Sequence, residues 1–465
     1  MEYYINKNYK TFHKSCNDLL NIKESQYYYP ILSLYFHYHN TKNSFKKIDI
    51  DKKYNIIKIL NKNDINNLSS NCIIKAIIKE KGRNKTYKKE LFCKIISLLD
   101  PIHIMMNHYQ INRNKNHLIP NNYYYNTHSK INSMNNNAYI DSFFSYICGQ
   151  LSIQNKIPSF PIFYGNINGI IDEYNFDISE ELHDYENEPW FNKYNKKLFN
   201  IYEYYDSNSD SGSDSESGYL SYEYISTYKN TPVQAFFIEK LDGTLDDLLY
   251  ENLGMVDEKK IKSALFQTIF ALIYLQKHYY FIHNDLHVEN IMYKKTNIKY
   301  LYYKYNNLYF KIPTYGYIFK IIDFGRSIFK YKKKLFYNDS FSNHGEAGGQ
   351  YNYPNHLLFD NDSIYKPNFN FDMCRLSFTI LESLDYDKDD EISSKNMKEL
   401  LKFIYLMTIN KDNISLYNKC DDFQLYIDIT NTANNSLPYK LIYNDIFKEY
   451  RIQKKKFPKK NYYHI

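Results

Sequence analysis

The chain of 465 residues lacks three features that would narrow its class at once: a long apolar run, paired cysteines and an N-terminal glycine-rich loop. The stretch from Ala264 to Leu275 is broken by Gln267 and falls short of the roughly 20 apolar residues a membrane span needs. Met1 to Lys7 has no apolar core of a secretory signal, so an intracellular, cytoplasmic protein with no membrane partner is expected. Cys16, Cys72, Cys93, Cys148, Cys374 and Cys420 are scattered, which argues against a disulfide framework or a zinc knuckle. Gly82 is the only glycine in the first hundred residues, so no bare backbone there can approach a phosphate closely. Net charge is +7, from 59 basic and 52 acidic residues, and no specific nucleic-acid binding is predicted from so small an excess.

What is present is a chain with 43% hydrophobic residues, enough for a core, and a length that suggests two or three structural units. Its 53 tyrosines and 30 phenylalanines accompany abundant Asn, Ile and Lys, all residues with AT-rich codons. Tyrosine-rich stretches are therefore not read as base-stacking platforms.

Two short pieces carry the chemistry. One is Phe281-Ile282-His283-Asn284-Asp285-Leu286-His287-Val288-Glu289-Asn290-Ile291-Met292; the other is Phe319-Lys320-Ile321-Ile322-Asp323-Phe324-Gly325-Arg326-Ser327. Each is a polar cluster between apolar, strand-forming flanks, the profile of a loop held rigidly for function. Asp285, Asn290 and Asp323 supply the oxygens that phosphoryl transfer needs: a carboxylate to take a hydroxyl proton, and an amide and a second carboxylate to hold Mg²⁺. His283 and His287 also form an H-x-x-x-H pair. Zinc hydrolases place that pair on a helix with Glu after the first His, whereas Asn284 follows here and the flanks read as strand.

Together the two pieces resemble the catalytic loop and magnesium-binding turn of the protein-kinase-like superfamily, patterned H-x-D-x-x-x-x-N and D-F-G. The resemblance implies an α+β, bilobal protein-kinase-like fold, with a small antiparallel β lobe carrying one main helix and a larger, mostly α-helical lobe. It implies ATP and Mg²⁺ as cofactors and a protein substrate as partner. By position, Asp285 would be the catalytic base, Asn290 and Asp323 the metal ligands, and His283 would pack on Phe324. His287 stands where protein kinases usually carry Lys, and its imidazole could donate to the transferred phosphate.

The same resemblance orders the rest of the chain. Residues 1–65 are polar and are expected to form an irregular or partly helical extension. Residues 66–238 would be the small lobe. In it Cys72 to Glu80 and Thr86 to Ile96 form a hairpin, with Lys94 (or Lys79) aimed at the nucleotide phosphates. The helix Ala138 to Cys148 would bring Asp141 to pair with that lysine, or leave it a surface carboxylate. An acidic insert at about 172–228 is expected to be disordered. In its centre Ser207, Ser211 and Ser213 each precede an acid by three residues, a pattern for an acidophilic kinase or simply a solvated linker. Residues 239–465 would be the large lobe. Val233 to Leu245 resembles the hinge, where backbone groups from Glu239 to Leu241 would meet adenine with Ile238 as gatekeeper. Thr244 suits a helix start, and Glu258 to His278 a buried helix. Asp372, leading the helix Phe371 to Glu382, would accept backbone N–H groups of the catalytic loop. The Ala-Pro-Glu motif is missing from the region after Gly325.

The function expected is an ATP-dependent protein kinase, looking like the divergent serine/threonine kinases of large DNA viruses and located in host cytoplasm or virion if viral. Two alternatives stand beside it. H-x-D-L-H-x-x-N also suits an aminoglycoside- or choline-type phosphotransferase, and the missing glycine loop suits a pseudokinase scaffold. Asn284 replaces the arginine that in many kinases binds an activation-loop phosphate. Phosphatase-treated protein is therefore predicted to keep its phosphotransfer rate; loss of all activity after treatment contradicts this.

Overall fold

A computed structural model describes residues 3–5, 9–34, 48–65, 69–83, 85–109, 125–205, 222–250, 257–343, 345, 347–353, 367–384, 386, 397–417 and 423–465. The fold is mixed α+β. The chain forms two units, one of Met1–Tyr139 with Phe163–Lys240 and one of Ile140–Ile162 with Leu241–Ile465.

The first unit is built on period-two burial. In Cys72–Glu80, Cys72, Ile74, Ala76 and Ile78 are buried while Lys75 is exposed. This strand pairs antiparallel with Thr86–Ser97 through the turn at Gly82, whose φ of 78° suits glycine. They sit in a seven-stranded antiparallel sheet ordered Ile22–Gln26, Phe163–Asp177, Tyr222–Glu239, Thr86–Ser97, Cys72–Glu80 and Tyr54–Asp64, with Phe199–Tyr205 paired to the start of Tyr222–Glu239. Lys94 is half-buried opposite Phe236, on the other face from buried Leu91, Cys93 and Ile95. Glu239 pairs with Leu91, and Ile238 is buried between Phe92 and Phe163.

Two expectations for this unit need correction. The described part of residues 1–65 is partly helical, as expected, but it also contributes strands to the sheet instead of extending from it. The helix Tyr9–Leu20 buries Phe12, Cys16 and Leu20, and its Ser15 hydroxyl accepts from Ile59 N at 3.0 Å on the edge strand Tyr54–Asp64. Bulges at Ile56/Lys58 and Ile59/Asn61 interrupt the alternation of that strand, which hid it among its Asn and Lys residues. The segment 172–228 is not a disordered insert throughout. Residues 172–177 and 222–228 belong to paired strands, and Tyr174, Ile178, Phe191, Phe199, Ile225 and Tyr228 are buried. Sparse aromatic residues suffice to order this segment because the long strands carry them inward in register. Ser207, Ser211 and Ser213 lie outside the described residues.

In the second unit the helix Glu258–Tyr279 starts at Asp257, whose carboxylate accepts from Lys259 N at 3.0 Å, and stops where Tyr280 turns left-handed at φ 53°. Its expected apolar positions Ile261, Leu265, Ile269, Leu272 and Leu275 are all buried. The short helix Leu245–Tyr250 is capped reciprocally: Thr244 Oγ1 accepts from Asp247 N at 3.0 Å and Asp247 Oδ2 from Thr244 N at 2.7 Å. Gly243 before it has no room for a side chain, since a Cβ would strike the Tyr293 hydroxyl. Leu241 is buried at the entry to this turn. The helices Phe371–Ser383, Lys398–Met407 and Phe423–Thr432 complete the helical part, and a three-stranded sheet pairs Gly243–Thr244, Ile291–Lys295 and Tyr317–Ile321. Among the described residues no helix is long and apolar enough to cross a membrane.

The helix Asn137–Ile153 lies mostly in this unit. Its Phe144 stacks on Phe281 at 4.7 Å and meets Phe324 at 5.1 Å and Phe329 at 4.2 Å. Phe144 is fully buried and joins both chemistry-bearing segments to one core. Phe144→Ala is predicted to cost about 3–5 kcal/mol, read as a lowered urea midpoint; a change under about 1 kcal/mol contradicts this packing role.

Candidate active site

The loop from Phe281 to Asn290 is anchored by a buried carboxylate. Asp372 accepts from His283 N through both oxygens, each at 3.0 Å, and from Asn284 N at 3.1 Å. Three such bonds offset much of the cost of burying a charge, yet burial still raises the Asp372 pKa to about 6, against the opposing pull of His283 and the two backbone N–H groups. Asn284 takes φ 64°, a left-handed backbone that costs energy without glycine. Its side chain is clasped on two sides, donating to Arg326 O at 3.0 Å and accepting from the Tyr351 hydroxyl at 2.5 Å.

The second segment is brought to the first by strand pairing. Ile291 lies opposite Ile321, so the residues just outside the pair, Asn290 and Ile322, are adjacent, and Ile322 N donates to Asn290 O at 3.1 Å. His283 Nε2 donates to Ile322 O at 2.8 Å, which fixes its proton on that nitrogen, and its ring lies 5.7 Å from that of Phe324. Asp323 follows at φ 59°, its Oδ1 accepting from Gly325 N at 3.4 Å. Ile282 and Ile328 exchange two backbone hydrogen bonds at 2.9 Å beyond the turn.

Asn290 is the junction of the site. Its Nδ2 donates to Asp285 O at 2.8 Å and to His287 Nε2 at 2.8 Å. Both amide protons are thus used inside the loop, and only Oδ1 remains to meet a cation. Asp285 is half-buried and its Oδ1 accepts from the Tyr426 hydroxyl at 3.2 Å. Asn290 and Asp323 carry hard oxygen donors, the kind that suits Mg²⁺ better than zinc. Among the described residues no group of three His, Cys, Asp or Glu could hold a metal ion.

The structure narrows two sequence expectations here: which nitrogen of His287 is occupied, and one of the two alternatives for Asp141. The His287 Nε2 accepts from an amide, so this nitrogen is not a donor for phosphate, while Nδ1 lies 3.8 Å from Glu289. Asp141 is not a surface carboxylate: it is fully buried, and Oδ1 accepts from Phe324 N at 3.0 Å and the Ser145 hydroxyl at 3.3 Å. It therefore holds the turn that carries Asp323. Lys94 and Glu239 belong to the first unit, and Leu241, Asp141, Asp285, His287, Asn290 and Asp323 to the second. Tyr351, Tyr426 and Arg375 had no visible signal, because tyrosines are too common in this chain to stand out and contact across the fold leaves no local pattern.

No family model matches the chain. It is 31% identical over 212 residues, 41% of its length, to a protein of Acanthamoeba polyphaga mimivirus named "Putative serine/threonine-protein kinase", of which the match covers 48%. It is 42% identical over 76 residues, 15% of its length, to an uncharacterized protein of invertebrate iridescent virus 6, of which the match covers 12%. The chain thus spans about half of the first relative and a smaller part of the second. Both relatives are viral, and the first supports a distant relationship to kinases.

The Asp372 anchor makes a pH-dependent prediction. Its folded pKa lies above the unfolded one, so its protonation favours the fold, and that contribution is lost as pH rises from about 4 through about 6. Unfolding free energy, read from urea midpoints, is therefore predicted to fall as pH rises through about 6, and Asp372→Asn to remove that limb. An unchanged limb in the variant rules out Asp372 as its source.

Proposed function

We propose that this chain is a protein kinase, with a protein-kinase-like bilobal fold, that transfers the γ-phosphoryl group of ATP to a serine or threonine hydroxyl of a protein. Asp285 accepts the hydroxyl proton through Oδ2, since Oδ1 is occupied by Tyr426. Asn290 Oδ1 and the Asp323 carboxylate would hold Mg²⁺, which neutralises charge on the nucleotide phosphates when bound. Lys94, Glu239 and Leu241 are the proposed nucleotide contacts, and Asp141 positions the Phe324 turn. The observation that carries the reading is the bond from Asn290 Nδ2 to Asp285 O: it ties the base to a metal ligand and aims the ligand oxygen away from the loop. The partial similarity to the mimivirus protein supports the same reading. A scaffold without turnover has no use for an amide held this way.

The deciding experiment is transfer from labelled ATP with Mg²⁺ to a peptide library and, in parallel, to aminoglycosides and choline. Peptide labelling is expected. Asp285→Asn should lower the rate about a hundredfold to ten-thousandfold. Removing Mg²⁺ with EDTA should abolish it, and Asn290→Ala should raise the Mg²⁺ concentration needed for half-maximal rate. Labelling of small molecules alone, or labelling that survives Asp285→Asn, would defeat the proposal.

A further inference from the structure

Two arginines from separate elements converge beside the proposed base. Arg326 follows the Asp323-Phe324-Gly325 turn, and Arg375 sits on the helix Phe371–Ser383. Their guanidinium carbons lie 6.0 and 5.4 Å from the centre of the Tyr426 ring. Arg375 Nε donates to the Tyr426 hydroxyl at 3.4 Å, and that hydroxyl donates to Asp285 Oδ1 at 3.2 Å. Arg375 is thereby linked to the base through one intervening oxygen.

A guanidinium that lies over an aromatic ring keeps its edge N–H groups for another partner. Among the described residues neither arginine side chain forms an ion pair with a carboxylate. Arg326 and Arg375 are both half-buried, so their heads are neither sequestered in a core nor fully solvated. Two cations beside one ring leave positive charge next to Asp285 that an incoming anion offsets. An arginine fork takes the oxygens of a carboxylate or a phosphate in bidentate fashion.

We infer that Arg326 and Arg375 form an anion subsite next to Asp285 that selects acceptor hydroxyls flanked by an anionic side chain. The inference rests on the kinase reading and names the substrate class for it. Tyr426 is the positioning residue that couples the two functions, holding the arginines on its ring and the base on its hydroxyl. Carboxylate and phosphorylated side chains share the chemistry the subsite recognises.

The test uses the full chain with Mg-ATP and serine-centred peptides whose flanking residues are Asp or Glu, phosphoserine, neutral, or Lys. kcat/KM for anionic peptides is expected to exceed that for neutral ones by about tenfold, the effect of one charge-assisted pair. The ratio should fall toward one in Arg326→Gln/Arg375→Gln, and Arg375→Glu should shift preference toward Lys-flanked peptides. A faster reaction with phosphoserine than with aspartate assigns the subsite to substrates already phosphorylated; the reverse assigns it to acidic ones. Equal use of anionic and neutral peptides by the unmodified chain, or an unchanged ratio in the double variant, overturns the inference. The single variants keep the ratio measurable if the double variant does not fold. Anisotropy of the same peptides without ATP separates the two readings. Arginine-dependent binding of anionic peptides with no transfer keeps the subsite and removes the kinase, whereas transfer with no anionic preference keeps the kinase and removes the subsite.

Discussion

The geometry of the loop depends on a buried carboxylate gripping two consecutive backbone N–H groups. Asp372 is almost fully buried, and a carboxylate there survives only because His283 N and Asn284 N both point at it. Those bonds accompany the left-handed backbone of Asn284, which turns the chain just before Asp285. Without that grip the strained conformation has no local reason to persist, since neither Asn284 nor Asp323 is glycine. Strain at both residues is over-determined by tertiary bonds: Asp372, Arg326 O and Tyr351 on one side, Asp141 and the Ile282–Ile328 bridge on the other.

From that anchor a chain of polar contacts runs through the site. Asn290 joins Asp285 to His287, the paired strands set Asn290 beside the Asp323 turn, and Tyr426 joins Asp285 to Arg375. Each side chain has its donors or acceptors committed so that one oxygen of the proposed ligand or base is left over. This is preorganisation by elimination: the groups are aimed because their other valences are already taken. Aromatic packing supplies the rigidity beneath, with Phe281, Phe324 and Phe329 gathered on Phe144.

The loop and turn motifs were legible because their residues are local and their flanks apolar. The Cys72–Glu80 and Thr86–Ser97 hairpin and the helix Glu258–Tyr279 were legible for the same reason, whereas the Asp372 contacts join distant segments and were expected only from the resemblance to kinases. The edge strand Tyr54–Asp64 was not, because bulges broke its period. The strands beyond residue 172 were not, because their few apolar residues are diluted by acids and only pairing with distant partners buries them. The occupation of His287 Nε2 and the bond from Phe324 N to Asp141 were not legible, because a hydrogen bond's direction depends on which neighbour arrives, and composition does not carry that information.

What the sequence alone determined is the set of reactive oxygens, the apolar flanks that make their loops rigid, and the order in which they occur. Those properties are local, so spacing and polarity encode them. Which nitrogen of His287 is occupied, which face of Asp141 is used, and the meeting of Arg326, Arg375 and Tyr426 were decided only by the tertiary structure. They rest on contacts between segments far apart in the chain, whose direction is set by packing and by competition for a limited number of donors and acceptors.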